Sequence, residues 1–181
     1  MEQSNVQIQI RDANAGEQEA IHTLTMAAYE QYATLMQPSF WAAYRQALLD
    51  ALAGTGQVER IVAEQAGKIV GSVQLYPPTM SAYQGSVMTD VAGPEVRLLA
   101  VDPAIRGRGI GKALMLECIK RAKNSGYSVL GLHTMNAMQA AMQMYERMGF
   151  VRVPELDFRP MEHVIVEGYR LDLAKSTSTM A

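Results

Sequence analysis

The stretch Glu95–Leu114, EVRLLAVDPAIRGRGIGKAL, constrains the fold of this chain more than any other. Val96, Leu98, Leu99 and Val101 make an apolar run of strand length, which Asp102-Pro103 ends by fixing φ and removing an N–H. Arg106-Gly107-Arg108-Gly109-Ile110-Gly111 comes next and leads into a helix starting near Gly109. A helix start leaves unpaired N–H donors and a partial positive charge, which together attract an anion. Glycines let such a backbone approach the anion with no Cβ in the way. The expectation is a phosphate cradle at the end of a central strand.

A chain of 181 residues, 49% apolar and 19% charged, is enough for one domain with a substantial core. A formal charge of −2 argues against nucleic acid as the main partner, because phosphate-backbone affinity rests on Lys and Arg. No apolar run approaches the roughly 20 residues that span a bilayer, so no membrane partner is expected. The start, MEQSNVQIQIRDA, has neither the basic segment nor the apolar core of a secretory leader. A single cysteine, Cys118, excludes an internal disulfide framework and an all-cysteine zinc site. A cytoplasmic protein with no metal is the expectation.

Val6, Ile8 and Ile10 alternate with glutamines as in a half-buried strand, and Asp12 or Asn14 can cap the helix after it. Ile21, Leu24, Thr25 and Ala28 recur at helical spacing between about Glu17 and Ala33. Pro38 opens a second helix through Trp41, Tyr44, Leu48 and Leu52, closed by Gly54-Thr55-Gly56. RIVAE and KIVGSVQL read as a hairpin around Gln65-Ala66-Gly67, ended by Pro77-Pro78. The polar segment Thr79–Pro94 reads as a loop, although Val87-Met88 could extend a strand. After the Gly109 helix, Tyr127–His133 is an apolar strand, and Asn136 can cap a helix that Gly149 ends. Phe150–Val153 and His163–Leu173 read as closing strands, and the tail from Lys175 as disordered. The predicted order β α α β β β α β α β β gives an α/β fold, a mixed sheet flanked by helices.

Three nucleotide-binding patterns compete for the glycine loop. A P-loop needs GxxxxGK[ST], but Gly111-Lys112 is followed by Ala113 and no hydroxyl is present for magnesium. A dinucleotide fingerprint needs GxGxxG, and Gly107, Gly109 and Gly111 give GxGxG late in the chain. What remains is Arg-x-x-Gly-x-Gly after a strand ending in Val-Asp-Pro.

That motif, met by Arg106, Gly109 and Gly111, resembles the pyrophosphate-binding motif of the GNAT superfamily of acyl-CoA-dependent N-acyltransferases. Asn136, Tyr145 and Met148-Gly149-Phe150 resemble the same family's N…YE…GF pattern. The resemblance covers roughly Ile8–Leu173 and is strongest over Glu95–Phe150. It implies a single N-acetyltransferase domain over residues 6–174 with acetyl-CoA as co-substrate, acting on a small-molecule or peptide amine. Coenzyme A pyrophosphate would sit on the N–H groups of Arg106, Gly107, Arg108, Gly109, Ile110, Gly111 and Lys112. The pantetheine would run beside Leu99, Ala100 and Val101, where the fourth and fifth strands splay.

The resemblance also implies direct attack of the amine on the thioester in a ternary complex, with Tyr145 as general acid. Its alternative is a core aromatic, since Ala141 and Tyr145 share an i, i+4 stripe. Asn136 could reach the cofactor or simply cap its helix. The general base stays open between Glu95, where some family members keep a carboxylate, and His133, whose type titrates near neutral pH. Tyr29, Tyr32, Met36 and Trp41, with Phe158 from the other side, are candidates for acceptor recognition or for core. A non-catalytic acyl-CoA-binding or regulatory module is the alternative function, and a nucleotide-binding protein of another fold is a remoter one. Dimers are common in the family, and no residue here decides the point.

Overall fold

The computed structural model describes residues 7–78 and 92–174. Val6, most of the loop expected before Pro94 and the tail from Lys175 lie outside the described residues. The elements are β1 (Gln9–Asp12), α1 (Gln18–Tyr29), α2 (Pro38–Ala53), β2 (Glu59–Gln65), β3 (Lys68–Tyr76) and β4 (Glu95–Val101). Next come α3 (Ile110–Asn124), β5 (Val129–Thr134), α4 (Gln139–Arg147), β6 (Val151–Arg152), β7 (Phe158–Met161) and β8 (Val164–Asp172). The strands form one sheet in the order β1-β2-β3-β4-β5-β8-β6, with β7 paired to β8.

Three local features depart from the sequence reading. The strand β7 is additional: FRPM is short and contains Pro160, which points away from a strand, but among the described residues it pairs only with β8. The β2–β3 hairpin turns on two residues, Ala66 and Gly67, both at positive φ (52° and 75°). Asn136 does not cap α4. It begins a short turn, Asn136–Met138, preceded by Met135, and its Oδ1 accepts from Gln139 Nε2 at 2.5 Å.

The sheet carries an apolar cluster on each face. On one face α3 presents Ile110, Leu114, Met115, Cys118, Ile119 and Ala122, all buried, to Ile61, Ala63, Val73, Leu130 and Leu132. On the other, Ile21, Ala28 and Tyr29 of α1 and Phe40, Leu48 and Leu52 of α2 meet Val62, Leu98 and Ala100. The apolar spacing of each helix predicts the face it buries.

Strand β4 belongs to both clusters because it is bulged. Its pairing with β3 shifts between Ser72 and Gln74, and Leu98 takes φ +52° there. Val96 therefore packs on the α3 face, whereas Leu98 and Ala100 pack on the α1 face. Strict alternation would keep all three on one side.

Strands β4 and β5 run parallel and pair at Glu95–Gly131 and Val96–Leu132. Beyond Val96 the ladder stops and the strands part. The edge of β4 from Leu99 to Val101 is thus opened just before the glycine loop. All other strand pairings among the described residues are antiparallel.

Candidate functional site

A cleft of about 490 Å³ opens where β4 and β5 part. Leu99, Ala100 and Val101 form one wall, the loop with the start of α3 closes one end, and α4 and the end of α1 complete it. Gly107 and Gly109 have φ of +78° and +79°, conformations that a side chain resists. No atom lies within 4 Å of where their Cβ atoms would be, so the loop backbone faces open space. The first N–H groups of the fifteen-residue helix α3 begin there, after Gly109. An anionic, chain-like ligand fits this arrangement: an exposed donor cluster at one end and, along one side, a strand edge with no pairing partner among the described residues.

The charged side chains of the cleft divide into engaged and available ones. Arg106 donates to the Ala28 carbonyl at 2.9 Å and to Gln31 Oε1 at 2.6 Å, so its guanidinium is docked on the carboxyl end of α1. Lys112, in the first turn of α3, and Arg147, in the last turn of α4, also line the cleft. Neither makes a hydrogen bond or ion pair among the described residues. Arg108 is exposed and is not part of the lining, and the same holds for Asn136.

Tyr145 lines the cleft from α4 and packs against Phe150, ring centres 5.9 Å apart. It is both a core aromatic, 7% exposed, and a cleft residue. Its hydroxyl has no hydrogen-bond partner among the described residues. Burial, with smaller contributions from the Tyr29 and Tyr32 phenols, pushes its proton affinity far above the usual phenol range. Tyr29 and Tyr32 stand on the opposite wall, their rings edge-to-face at 5.8 Å. Burial raises both of these phenols as well.

Glu95 and His133 meet, although 38 residues separate them in sequence: Glu95 Oε1 lies 2.9 Å from His133 Nδ1. His133 Nε2 lies 2.9 Å from the Leu156 carbonyl, and Phe158 stands edge-on to the imidazole at 5.4 Å. Three candidates from distant segments therefore meet beside the short β4–β5 ladder, the Glu95 and His133 side chains buried and Phe158 half-buried. Glu95 and His133 do not line the cleft. Met36, Trp41 and Phe158 are packed against the α1-face cluster, outside the cleft lining, while Tyr29 and Tyr32 are in it.

Sequence reasoning missed Gln31, Met138, Ala140 and Arg147 of the lining. Arg147 lies two residues after Tyr145 in the last turn of α4, so a cation near the candidate acid in sequence was a usable signal. Gln31 carried none. Among the described residues, no helix is long and apolar enough to cross a membrane, and no cluster of His, Cys, Asp and Glu could hold a metal.

Comparison with known proteins bears on this cleft. The chain is 33% identical over 141 residues to N-acetylaspartate synthetase of Danio rerio, an overlap of 76% of this chain and 38% of that protein. It is 35% identical over 101 residues to N-acetyltransferase 8B of Homo sapiens, an overlap of 54% and 40%. The chain thus spans well under half the length of these relatives. The crystal structure of PaiA N-acetyltransferase from Thermoplasma acidophilum with coenzyme A superposes with a TM-score of 0.64 at 15% identity, over 92% of this chain and 99% of that one. YncA from Salmonella typhimurium, crystallised with its cofactor acetyl-CoA, gives 0.59 at 18% identity over 92% and 94%. These two likenesses establish a shared fold. The acetyltransferase (GNAT) family profile matches residues 19–150, which contain the glycine loop, the splayed strands and Tyr145, and the chain belongs to that family.

Proposed function

We propose that this protein transfers an acetyl group from acetyl-CoA to a primary amine by direct attack. The observation that carries the reading is the junction of three features in one cleft: an opened β4 edge, an open glycine loop at the start of α3, and the Tyr145 side chain. Bound acetyl-CoA supplies the thioester and departs as a thiol.

The loop backbone from Arg106 to Lys112 offers N–H donors to the pyrophosphate, and Lys112 and Arg147 add the only cleft cations without a partner among the described residues. The backbone of Leu99 to Val101 serves the pantetheine amides as a neighbouring strand would. Tyr145 keeps its proton at neutral pH because burial disfavours the phenolate. That proton is the one it would hand to the departing sulfur and recover afterwards, although burial also makes it a weaker acid than a free phenol. Glu95 serves as base, directly or through water, with His133 behind it. Tyr29 and Tyr32 border the acceptor, in an apolar surround that favours the neutral amine. The acceptor is a small-molecule or peptide amine, and the activity resides in a cytoplasmic protein.

A second reading keeps the fold and drops the chemistry: a non-catalytic acyl-CoA-binding module. It is favoured by one observation, that no carboxylate or imidazole lines the cleft among the described residues. Calorimetric titration with coenzyme A, run beside thiol release from acetyl-CoA over a panel of amines, separates the two. The catalytic reading requires amine-dependent thiol release. Tight binding with no release on any amine favours the module, and stabilisation by ATP or NAD in place of coenzyme A defeats both.

A further inference from the structure

His133 and Glu95 are almost wholly enclosed, with side-chain exposures of 2% and 5%. The Leu156 carbonyl at His133 Nε2 can only accept, so that nitrogen carries a hydrogen. On the other side of the ring, two facing lone pairs at 2.9 Å would repel, so one proton lies between Nδ1 and Glu95 Oε1. The ring is fixed at both nitrogens, and one of the two Glu95 oxygens is occupied by it.

The Leu156 carbonyl is itself held. Leu156 closes the short turn Pro154–Leu156, and Asp157 comes directly after it. Asp157 Oδ2 accepts from Arg152 Nη2 at 2.7 Å, and Oδ1 accepts from the backbone N–H of Gly168 at 3.0 Å. Arg152 Nε donates to Glu167 Oε2 at 3.0 Å. Gly168 stands opposite His133 in the β5–β8 register. A Cβ there would lie 2.2 Å from the Leu156 Cβ, so glycine is what lets the turn press onto β8 beside the imidazole. Arg152, Asp157 and Gly168 all lie beyond residue 150, where the family match ends.

We propose that the segment 152–157 is a positioning device for the reaction. The Arg152–Asp157–Gly168 clamp fixes the Leu156 carbonyl, the carbonyl fixes the His133 ring, and the ring fixes the Glu95 carboxyl group. Arg152 and Asp157 are positioning residues, acting through His133 on Glu95. The functional half of this inference rests on Glu95 being the base, whereas its mechanical half concerns the ring alone.

Nitrogen-15 NMR of the His133 ring in substrate-free protein tests the mechanical half, using Asp157→Asn and Arg152→Gln. These side chains are 21% and 32% exposed, so the variants are expected to fold, as a thermal melt would verify. The expected result is displaced His133 ring nitrogen resonances and faster solvent exchange of the Nε2 hydrogen in both variants. Turnover of the same variants should fall on the order of tenfold to a hundredfold, with KM for acetyl-CoA changed less than about twofold. Ring resonances and exchange identical to the wild type would overturn the device. Displaced resonances together with full turnover in Glu95→Gln would instead overturn Glu95 as base, which distinguishes the two failures.

Discussion

Cys118 lies fully enclosed on α3, and burial pushes its thiol up to about 12. At neutral pH the reactive thiolate is scarce and the side chain has no exposed surface. Native protein should therefore resist an aromatic disulfide reagent, with labelling tracking unfolding, and rapid stoichiometric labelling of folded protein would contradict this packing. Gly109 is constrained in the opposite sense: its surroundings are open, and its φ of +79° is the constraint. Gly109→Ala should cost about 1–2 kcal/mol in urea unfolding, the usual penalty for a side chain in the left-handed region. It should also weaken coenzyme A binding in calorimetry, because relaxing that φ turns the loop N–H groups. The glycines of this loop announced their role in the sequence. Leu98 did not: nothing in a Leu-Leu pair signals that the first takes φ +52° and throws the strand onto its other face.

Helix α3 is the element on which the site rests, since its first turn is half of the cradle. Leu114, 0% exposed, is centred on its buried face. Leu114→Ala should cost about 2–5 kcal/mol in chemical denaturation, because the sheet behind it cannot collapse into the space. The approach to α1 is secured by charge. Glu17 accepts from Arg11 at 2.5 Å and from the Asn14 N–H at 2.7 Å. The Arg11 hydrogen bond is the main cause that lowers its carboxyl from 4.5 to about 2. A lowered carboxyl stabilises the fold fully above its unfolded value and loses that contribution as pH falls through its folded one. Glu17→Gln should therefore melt below the wild type at pH 7, and the gap should narrow between pH 4.5 and 2; a gap independent of pH would refute the pairing. At this scale periodicity predicted both buried helix faces and six of the eight strands with their boundaries shifted by a few residues, and β1 in part. It missed β7, whose existence depends on β8 as a partner and not on its own residues.

For the molecule as a whole, the decisive feature is where the β4–β5 ladder stops, after Val96. Strand separation is a tertiary property with no local signature, so it entered the sequence reading through family resemblance alone. The same limit applies to Glu95 and His133, which sequence presents as rival bases and the fold presents as hydrogen-bonded partners. The acceptor side was least legible: of the candidate residues around Pro38, Tyr29 and Tyr32 reach the cleft, while Met36 and Trp41 pack against the α1-face cluster outside its lining. Apolar residues at helical spacing look alike whether they line a cavity or fill a core. The central assignment is Tyr145 as the acid of an acetyl transfer, and the direct test is steady-state turnover of Tyr145→Phe with the best amine across pH. The expected result is kcat lowered about 10²–10⁴-fold, with KM for acetyl-CoA little changed because the ring and its packing remain. Undiminished kcat at every pH would contradict the assignment.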